Sequence, residues 1–202
     1  MWFLQKKILS SADLKLLRGI DWNTFQKRLS YHLKKGKLIK IRKWIYLVGD
    51  ALYSLEKEDF FVLANMLYSP SYLSFETVLS STWAIFQYYD TIFVAGLYKK
   101  SLSVSLKEYQ ISFEYSRFPK ELLVYSWGLI HKNWYTIAWF ERAFCDTLRR
   151  NPYYYFDRLS SDMFDRNILD EILGVYSVFN PGIKQTVLST LERYGINMAI
   201  PA

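Results

Sequence analysis

The chain has 202 residues, 51% hydrophobic and 19% aromatic, with one cysteine and a formal net charge of +7. So much apolar side chain excludes a disordered polypeptide, and a lone cysteine excludes an internal disulfide and suits a reducing cytoplasm. No run approaches the roughly 18 apolar residues of a membrane span, and in the N-terminal MWFLQKKILSS the apolar residues precede the lysines, unlike a signal peptide.

Charge is unevenly spread. Residues 1–49 hold twelve Lys/Arg against two Asp, a formal +10, whereas residues 50–202 hold fourteen against seventeen Asp/Glu, a formal −3. A basic head on a mildly acidic body points to a polyanion-binding domain over 1–50 and a separate domain over 51–202. The alternative is a solvated basic face with no ligand.

In chain order, WFLQKKIL predicts a short helix with Trp2, Phe3, Leu4, Ile8 and Leu9 as its apolar stripe. Ser10 or Ser11 is placed to cap a second helix, SADLKLLR. Gly19 follows Arg18 as a left-handed residue past a helix end. Asp21 is placed to cap a third helix, WNTFQKRLSYHLKK, which Gly36 stops. Two helices joined by a short Gly-containing turn form a helix-turn-helix pattern.

Phe25, Leu29 and Leu33 recur every fourth residue and mark the buried face of that third helix. Asn23, Thr24, Lys27, Tyr31 and Lys34 then face outward, with Arg28 and Lys35 as further cations; such groups donate to phosphates or reach base edges. LIKI alternates like a half-exposed strand that turns Lys40 outward, WIYLV reads as its partner, and Arg42 and Lys43 lie at the tip between them. The head is expected to be a winged helix-turn-helix that binds double-stranded DNA. His32 is expected at the edge of the core, and Trp22 and Trp44 as packing residues.

In the body, LEKEDFFVLANMLY predicts a linker helix with Glu56, Glu58 and Asp59 early, where the helix dipole favours negative charge. Pro70 ends it, and Ser74 is placed to cap the next helix. TIFVAGL, SLSVSL and YQISFEYSRF read as strands, the last with Tyr109, Ile111, Phe113 and Tyr115 on one face. LLVYSWGLI and WYTIAWF are expected to form a hairpin around His131-Lys132-Asn133. ERAFCDTL follows as a helix with Glu141 in its first turn. Its exposed Arg142–Asp146 pair at i,i+4 spacing would be worth only about 0.3–0.5 kcal/mol. NILDEILGVYSVF and IKQTVLSTLERY close the chain as helices separated by Asn180-Pro181-Gly182. The expected class is α+β: a winged helix-turn-helix followed by a mixed α/β domain.

Three segments, in order, resemble the AbiEi family of antitoxins from bacterial abortive-infection, type IV toxin–antitoxin systems. RKWIYLV resembles the family's basic-Gly-aliphatic-Tyr wing. SPSYLSFETVLS resembles its Ser-Tyr-x-Ser-x-Glu/Ser-x-x-Leu segment. IAWFERAFCDTL resembles its Ala-x-Pro-Glu-Arg-Ala-x-x-Asp segment. The likeness spans roughly residues 1–160. It departs at Trp44, where the family has Gly, and at Phe140, where it has Pro; the tail is short, so an accessory region of the family is expected to be missing.

The resemblance implies a cytoplasmic transcriptional repressor that binds inverted repeats in its own promoter. It also implies an antitoxin body counteracting a cognate nucleotidyltransferase toxin, without a stable direct complex being the rule. Carried onto this chain, the body motifs fall on Ser74, Glu76, Glu141, Arg142 and Asp146; capping, helix-dipole and i,i+4 pairing explain the same residues. A regulator whose body senses a ligand or partner is the alternative.

Catalytic chemistry is thinly represented. His32 and His131 fall in different expected domains, no CxxC, HExxH or Gly-rich phosphate loop occurs, and Cys145 sits on an apolar helix face. A Mg²⁺-dependent enzyme built on Glu76, Glu141 and Asp146 is a third reading. The expectation is no enzyme, no cofactor, no metal and no membrane partner.

Overall fold

The computed structural model describes residues 6–16, 21–87, 89–106 and 109–197. It is a mixed α+β structure and divides into two compact units, one of residues 1–67 with 103–111, the other of residues 68–102 with 112–202.

The first unit opens with strand β1 (Ile8–Ser10) and helix α1 (Ser11–Leu16). The helix expected over residues 2–9 is therefore wrong where it is described, because Ile8 and Leu9 are strand. They pair antiparallel with Leu47 and Tyr46 of β3 (Ile45–Val48) and are buried by that pairing. A free sheet edge satisfies their backbone groups, an advantage that local spacing cannot reveal. Ser10 caps α1 reciprocally: its Oγ accepts the Asp13 N–H at 3.0 Å, while Asp13 Oδ2 accepts the Ser10 N–H at 2.7 Å. Residues 17–20, with the expected turn at Gly19, lie outside the described residues.

Helix α2 (Trp22–Lys34) begins at Asp21, whose carboxylate accepts the N–H groups of Asn23 and Thr24 at 2.9 and 3.1 Å. It buries Phe25 and Leu29, which cluster with Tyr46, and Leu14, Leu33 and Leu38 pack around them. Gly36, at φ +69°, turns the chain into β2 (Leu38–Arg42), which pairs antiparallel with β3 in a sheet of order β1-β3-β2. A 3-10 turn over Gly49–Ser54 leads to helix α3 (Lys57–Leu67). Asp59 Oδ2 accepts the Glu56 N–H at 2.8 Å at its start and also pairs with Lys7 at 2.9 Å.

The second unit is built on strands β4 (Ser71–Leu73), β5 (Thr91–Gly96), β6 (Lys100–Leu106), β7 (Tyr109–Arg117), β8 (Leu129–His131) and β9 (Thr136–Ala138). Their sheet order is β6-β7-β5-β4-β9-β8, and residues 103–106 of β6 and 109–111 of β7 group with the first unit. β5 runs parallel to β7 and antiparallel to β4, while β4 runs parallel to β9. The apolar run Ile92–Ala95 is buried at every position, as an interior strand covered on both faces requires. In β7, Phe113 and Tyr115 point inward as the alternation predicts.

Helices α4 (Glu76–Leu79), α5 (Lys120–Val124), α6 (Phe140–Arg150), α7 (Arg166–Phe179) and α8 (Ile183–Arg193) complete this unit. Two expectations fail here. LLV of 122–124 is helical, because Pro119 starts a helical turn before the chain reaches Gly128 at φ +73°; the hairpin proper is only β8–β9. Ser74 does not cap α4: Phe75 holds that position at φ +55°, and the Ser74 hydroxyl is used elsewhere. α6 is enclosed by α4, α7, α8 and β9, and Glu141–Leu148 are all buried.

Gly49 is a tight point of the first unit. A Cβ there would stand 2.0 Å from the Gly36 carbonyl oxygen, so backbone must move. Gly49→Ala is expected to lower stability by about 2 kcal/mol in a urea titration, in the range of overpacked sites.

Candidate functional site

Between Trp22 and Gly49 the chain carries eight cations and no carboxylate. Lys27, Arg28, Lys34, Lys35, Lys37, Lys40, Arg42 and Lys43 are all exposed. Lys6 and Lys7, nearer the start of the chain, pair with Asp13 and Asp59. At 3.6 residues per turn, Asn23, Thr24, Lys27, Arg28, Tyr31, Lys34 and Lys35 fall within an arc of roughly 140°, opposite Phe25 and Leu29. All of these are exposed except Thr24, which is half-buried. Lys34 and Lys35 sit at the C-terminal end of α2, where its dipole favours cations. The half-buried His32 stacks its ring edge-on to Tyr31, with centroids 5.5 Å apart.

Arg42 pairs with Ile45, so Lys43 and Trp44 form the tip of the β2–β3 hairpin. Trp44 has φ +69°, the left-handed conformation that glycine adopts freely and that costs another residue about 1–2 kcal/mol. Its indole meets that of Trp22 with centroids 5.8 Å apart, and Trp22 in turn stacks on Phe25 at 5.5 Å. The two tryptophans pack together, yet Trp44 stays 40% and Trp22 46% exposed.

The body residues Ser74, Glu76, Glu141, Arg142 and Asp146 are buried around α6. Asp146 accepts hydrogen bonds from Ser74 Oγ at 2.6 Å, from the Tyr72 hydroxyl at 3.0 Å and from the Tyr176 hydroxyl. Arg142 is fully buried; its Nη1 donates to the Tyr125 and Trp127 carbonyls at 2.6 and 2.5 Å, its Nη2 donates to the Leu122 carbonyl, and its guanidinium lies 4.6 Å from the Tyr72 ring centroid. The expected exposed i,i+4 pair is thus wrong. Arg142 and Asp146 are both inside, and each makes its hydrogen bonds with other elements. Glu76 Oε1 takes Arg150 Nη2, and Glu141 Oε1 accepts the Asp165 N–H at 2.7 Å, where α7 begins.

Burial raises the Asp146 carboxyl above its ordinary value of 3.8, against the pull of Arg142 and of the three hydroxyls. Burial also opposes charge on Arg142, but Tyr72, Tyr176 and Asp146 facing it hold its guanidinium above the usual value. Cys145 is fully buried, and burial followed by the Asp146 charge pushes its thiol well above 9.0, so it stays protonated.

Tyr72, Tyr176, Arg150 and Asp165 belong to this cluster and are not among the expected site residues. For Arg150 a signal exists, since Arg142, Asp146 and Arg150 repeat every fourth residue along one helix face. The tyrosines carry none, because their hydroxyls meet Asp146 across 74 and 30 residues of chain. Among the described residues no group of three or more His, Cys, Asp or Glu is arranged to hold a metal ion. No helix among them is long and apolar enough to cross a membrane. No protein-family model matches the chain, and no curated protein matches it.

Asp146→Ala buries the Arg142 charge without its countercharge and leaves three hydroxyls without their acceptor; it is expected to cost about 3–5 kcal/mol in urea unfolding. Tyr176→Phe removes one charge-assisted bond and is expected to cost about 1.5–3 kcal/mol. An acid with a raised folded pKa binds more protons folded than unfolded. Its contribution to stability is complete below 3.8 and is lost as pH rises through the raised value. Asp146→Asn, which cannot ionise, is therefore expected to flatten the pH dependence of the urea midpoint between 3.8 and that raised value.

Proposed function

We propose that the chain is a DNA-binding transcriptional repressor whose first unit is a winged helix-turn-helix. α2 serves as the recognition helix and the β2–β3 hairpin as the wing. The observation that carries this reading is the run of eight exposed cations without a carboxylate between Trp22 and Gly49. Such a surface attracts the phosphate backbone of a duplex, whatever its sequence, by releasing condensed counterions. Asn23, Thr24, Lys27 and Tyr31 supply side chains able to read base edges, while Arg28, Lys34, Lys35, Lys40, Arg42 and Lys43 neutralise phosphates. Two copies on an inverted repeat of its own promoter fit the symmetry of such sites.

The second unit, on the resemblance of its SPSYLSFETVLS and IAWFERAFCDTL segments to AbiEi-type antitoxins, counteracts a nucleotidyltransferase toxin encoded beside it. A second reading makes this unit a ligand sensor. Glu76 Oε2 favours it, since that oxygen is buried and makes no hydrogen bond. Co-expression with the product of the adjacent gene separates the two. Rescue of growth supports the antitoxin; a neighbour that is not toxic, or whose toxicity persists, removes it.

Fluorescence anisotropy against a labelled promoter duplex at several salt concentrations tests the DNA-binding half. Replacing both Arg42 and Lys43 with Gln is expected to weaken binding to every duplex and to lower the salt slope by about two, one per lost phosphate contact. Lys27→Ala and Tyr31→Ala are expected to weaken the promoter site more than an unrelated duplex, by about 1–3 kcal/mol each. A chain with no salt-dependent retention of DNA overturns the proposal.

A further inference from the structure

We infer that the Trp22–Trp44 pair is an apolar nucleic-acid contact, with the Trp44 indole seated as a wedge against the sugars and base edges of a duplex minor groove. The inference rests on duplex binding by the first unit and names what the hairpin tip does there.

The first observation is backbone conformation. Position 44 demands a left-handed residue in a two-residue turn, where glycine sits without strain, yet the largest side chain occupies it. Burial accounts for only part of that choice: the ring packs on Trp22, yet 40% of Trp44 and 46% of Trp22 remain exposed. Strain kept at a half-exposed aromatic residue among exposed cations suits a presented contact.

The second observation is charge. Lys43 Nζ lies 5.5 Å from the Trp44 ring centroid, and Arg42 and Lys40 are exposed on the adjoining strand. At the start of α2, beside Trp22, the position is reversed. Asp21 occupies the Asn23 and Thr24 N–H groups, and those bonds, Thr24 foremost, hold its carboxyl below the ordinary range. A helix N-terminus is a ready phosphate site only while its N–H groups are free. This one is filled by a carboxylate, so phosphates are repelled from it. The tip thus offers cations on one side, a negative cap on the other and two indoles between. That arrangement suits a groove floor flanked by a phosphate strand, where apolar wedges insert beside Lys and Arg.

The test uses the full chain with a fluorescein-labelled duplex of about 30 base pairs, three helical turns, and with heparin as a polyanion lacking bases. Trp44→Gly is expected to weaken duplex binding about tenfold, with the salt slope and heparin affinity unchanged because no charge is lost. Trp44→Phe is expected to restore most of the affinity. Wild-type tryptophan fluorescence is expected to be quenched by the duplex and not by heparin, and Trp44→Phe to lose much of that quench. If Trp44→Gly fails to fold by circular dichroism, the Trp44→Phe quench decides. Equal duplex affinity of all three proteins overturns the wedge while leaving DNA binding intact. So does a loss shared by duplex and heparin, or an absent quench. A wild-type chain that binds no duplex overturns the underlying functional reading instead.

Discussion

The second unit depends on one arrangement: a charged stripe of a buried helix matched to a polar edge of the neighbouring strand. Arg142, Asp146 and Arg150 recur every four residues on α6, and Tyr72 of β4, Ser74 just after it and Glu76 at the start of α4 recur every two. Four residues of helix rise about 6.0 Å and two extended residues about 6.6 Å, so Tyr72 and Ser74 stay in step with Arg142 and Asp146, and the left-handed Phe75 then turns Glu76 to Arg150. Arg142 meets the Tyr72 ring, Asp146 meets Tyr72 and Ser74, and Arg150 meets Glu76. An apolar helix would bury α6 as well, but it would not fix its register along β4. The polar stripe does so at the cost of desolvating two charges, Arg142 and Asp146, that lie fully inside.

Several other features of the unit follow from that register. The carbonyls of Leu122, Tyr125 and Trp127 are turned toward Arg142, which fixes α5 and the loop before Gly128. A Cβ on Gly128 would stand 2.9 Å from Ile172 and 3.1 Å from the Arg142 Cβ, so the loop passes α6 only because that residue has no side chain. Glu141, one residue earlier, takes the Asp165 N–H while the Asp165 carboxylate caps α7 through Asn167 and Ile168. α7 returns Tyr176 to Asp146, closing the loop of dependence.

Legibility in the sequence divides along the range of the interaction concerned. α2, α6, α7 and α8 are visible because each carries a local apolar period or a cap such as Asp21. β5 and β7 are visible as an apolar run and an alternation. β1 and β4 are three residues each, too short to show a period, and exist because β3 and β5 offer edges far away in sequence. The outward face of α2 follows from helix geometry and needs no partner. The body residues fare differently. Ser74, Glu76 and Asp146 have tidy local explanations as a cap, a dipole charge and a surface pair. Each local explanation fails for Ser74 and Asp146, because their partners lie more than seventy residues away. Tyr176 is invisible for the same reason.

Backbone strain falls in both units. Among the described residues the non-glycine positions with positive φ are Trp44, Phe75 and Trp83, all large aromatics. Phe75 is fully buried, edge-on to Phe118 at 5.7 Å and beneath Arg150 at 4.4 Å, so packing offsets its conformation. Its twist also throws Ser74 and Glu76 toward successive turns of α6, and the strain is part of how the register is set. Trp44 is held differently: its carbonyl accepts the Ser11 N–H at 2.9 Å, its ring packs on Trp22 with Lys43 Nζ 5.5 Å from the centroid, and 40% of the residue stays exposed. A left-handed residue costs much the same in either place. Burial and the matched polar stripe supply the offset at Phe75, whereas at Trp44, as at Trp83 with 69% exposure, much of the side chain faces solvent.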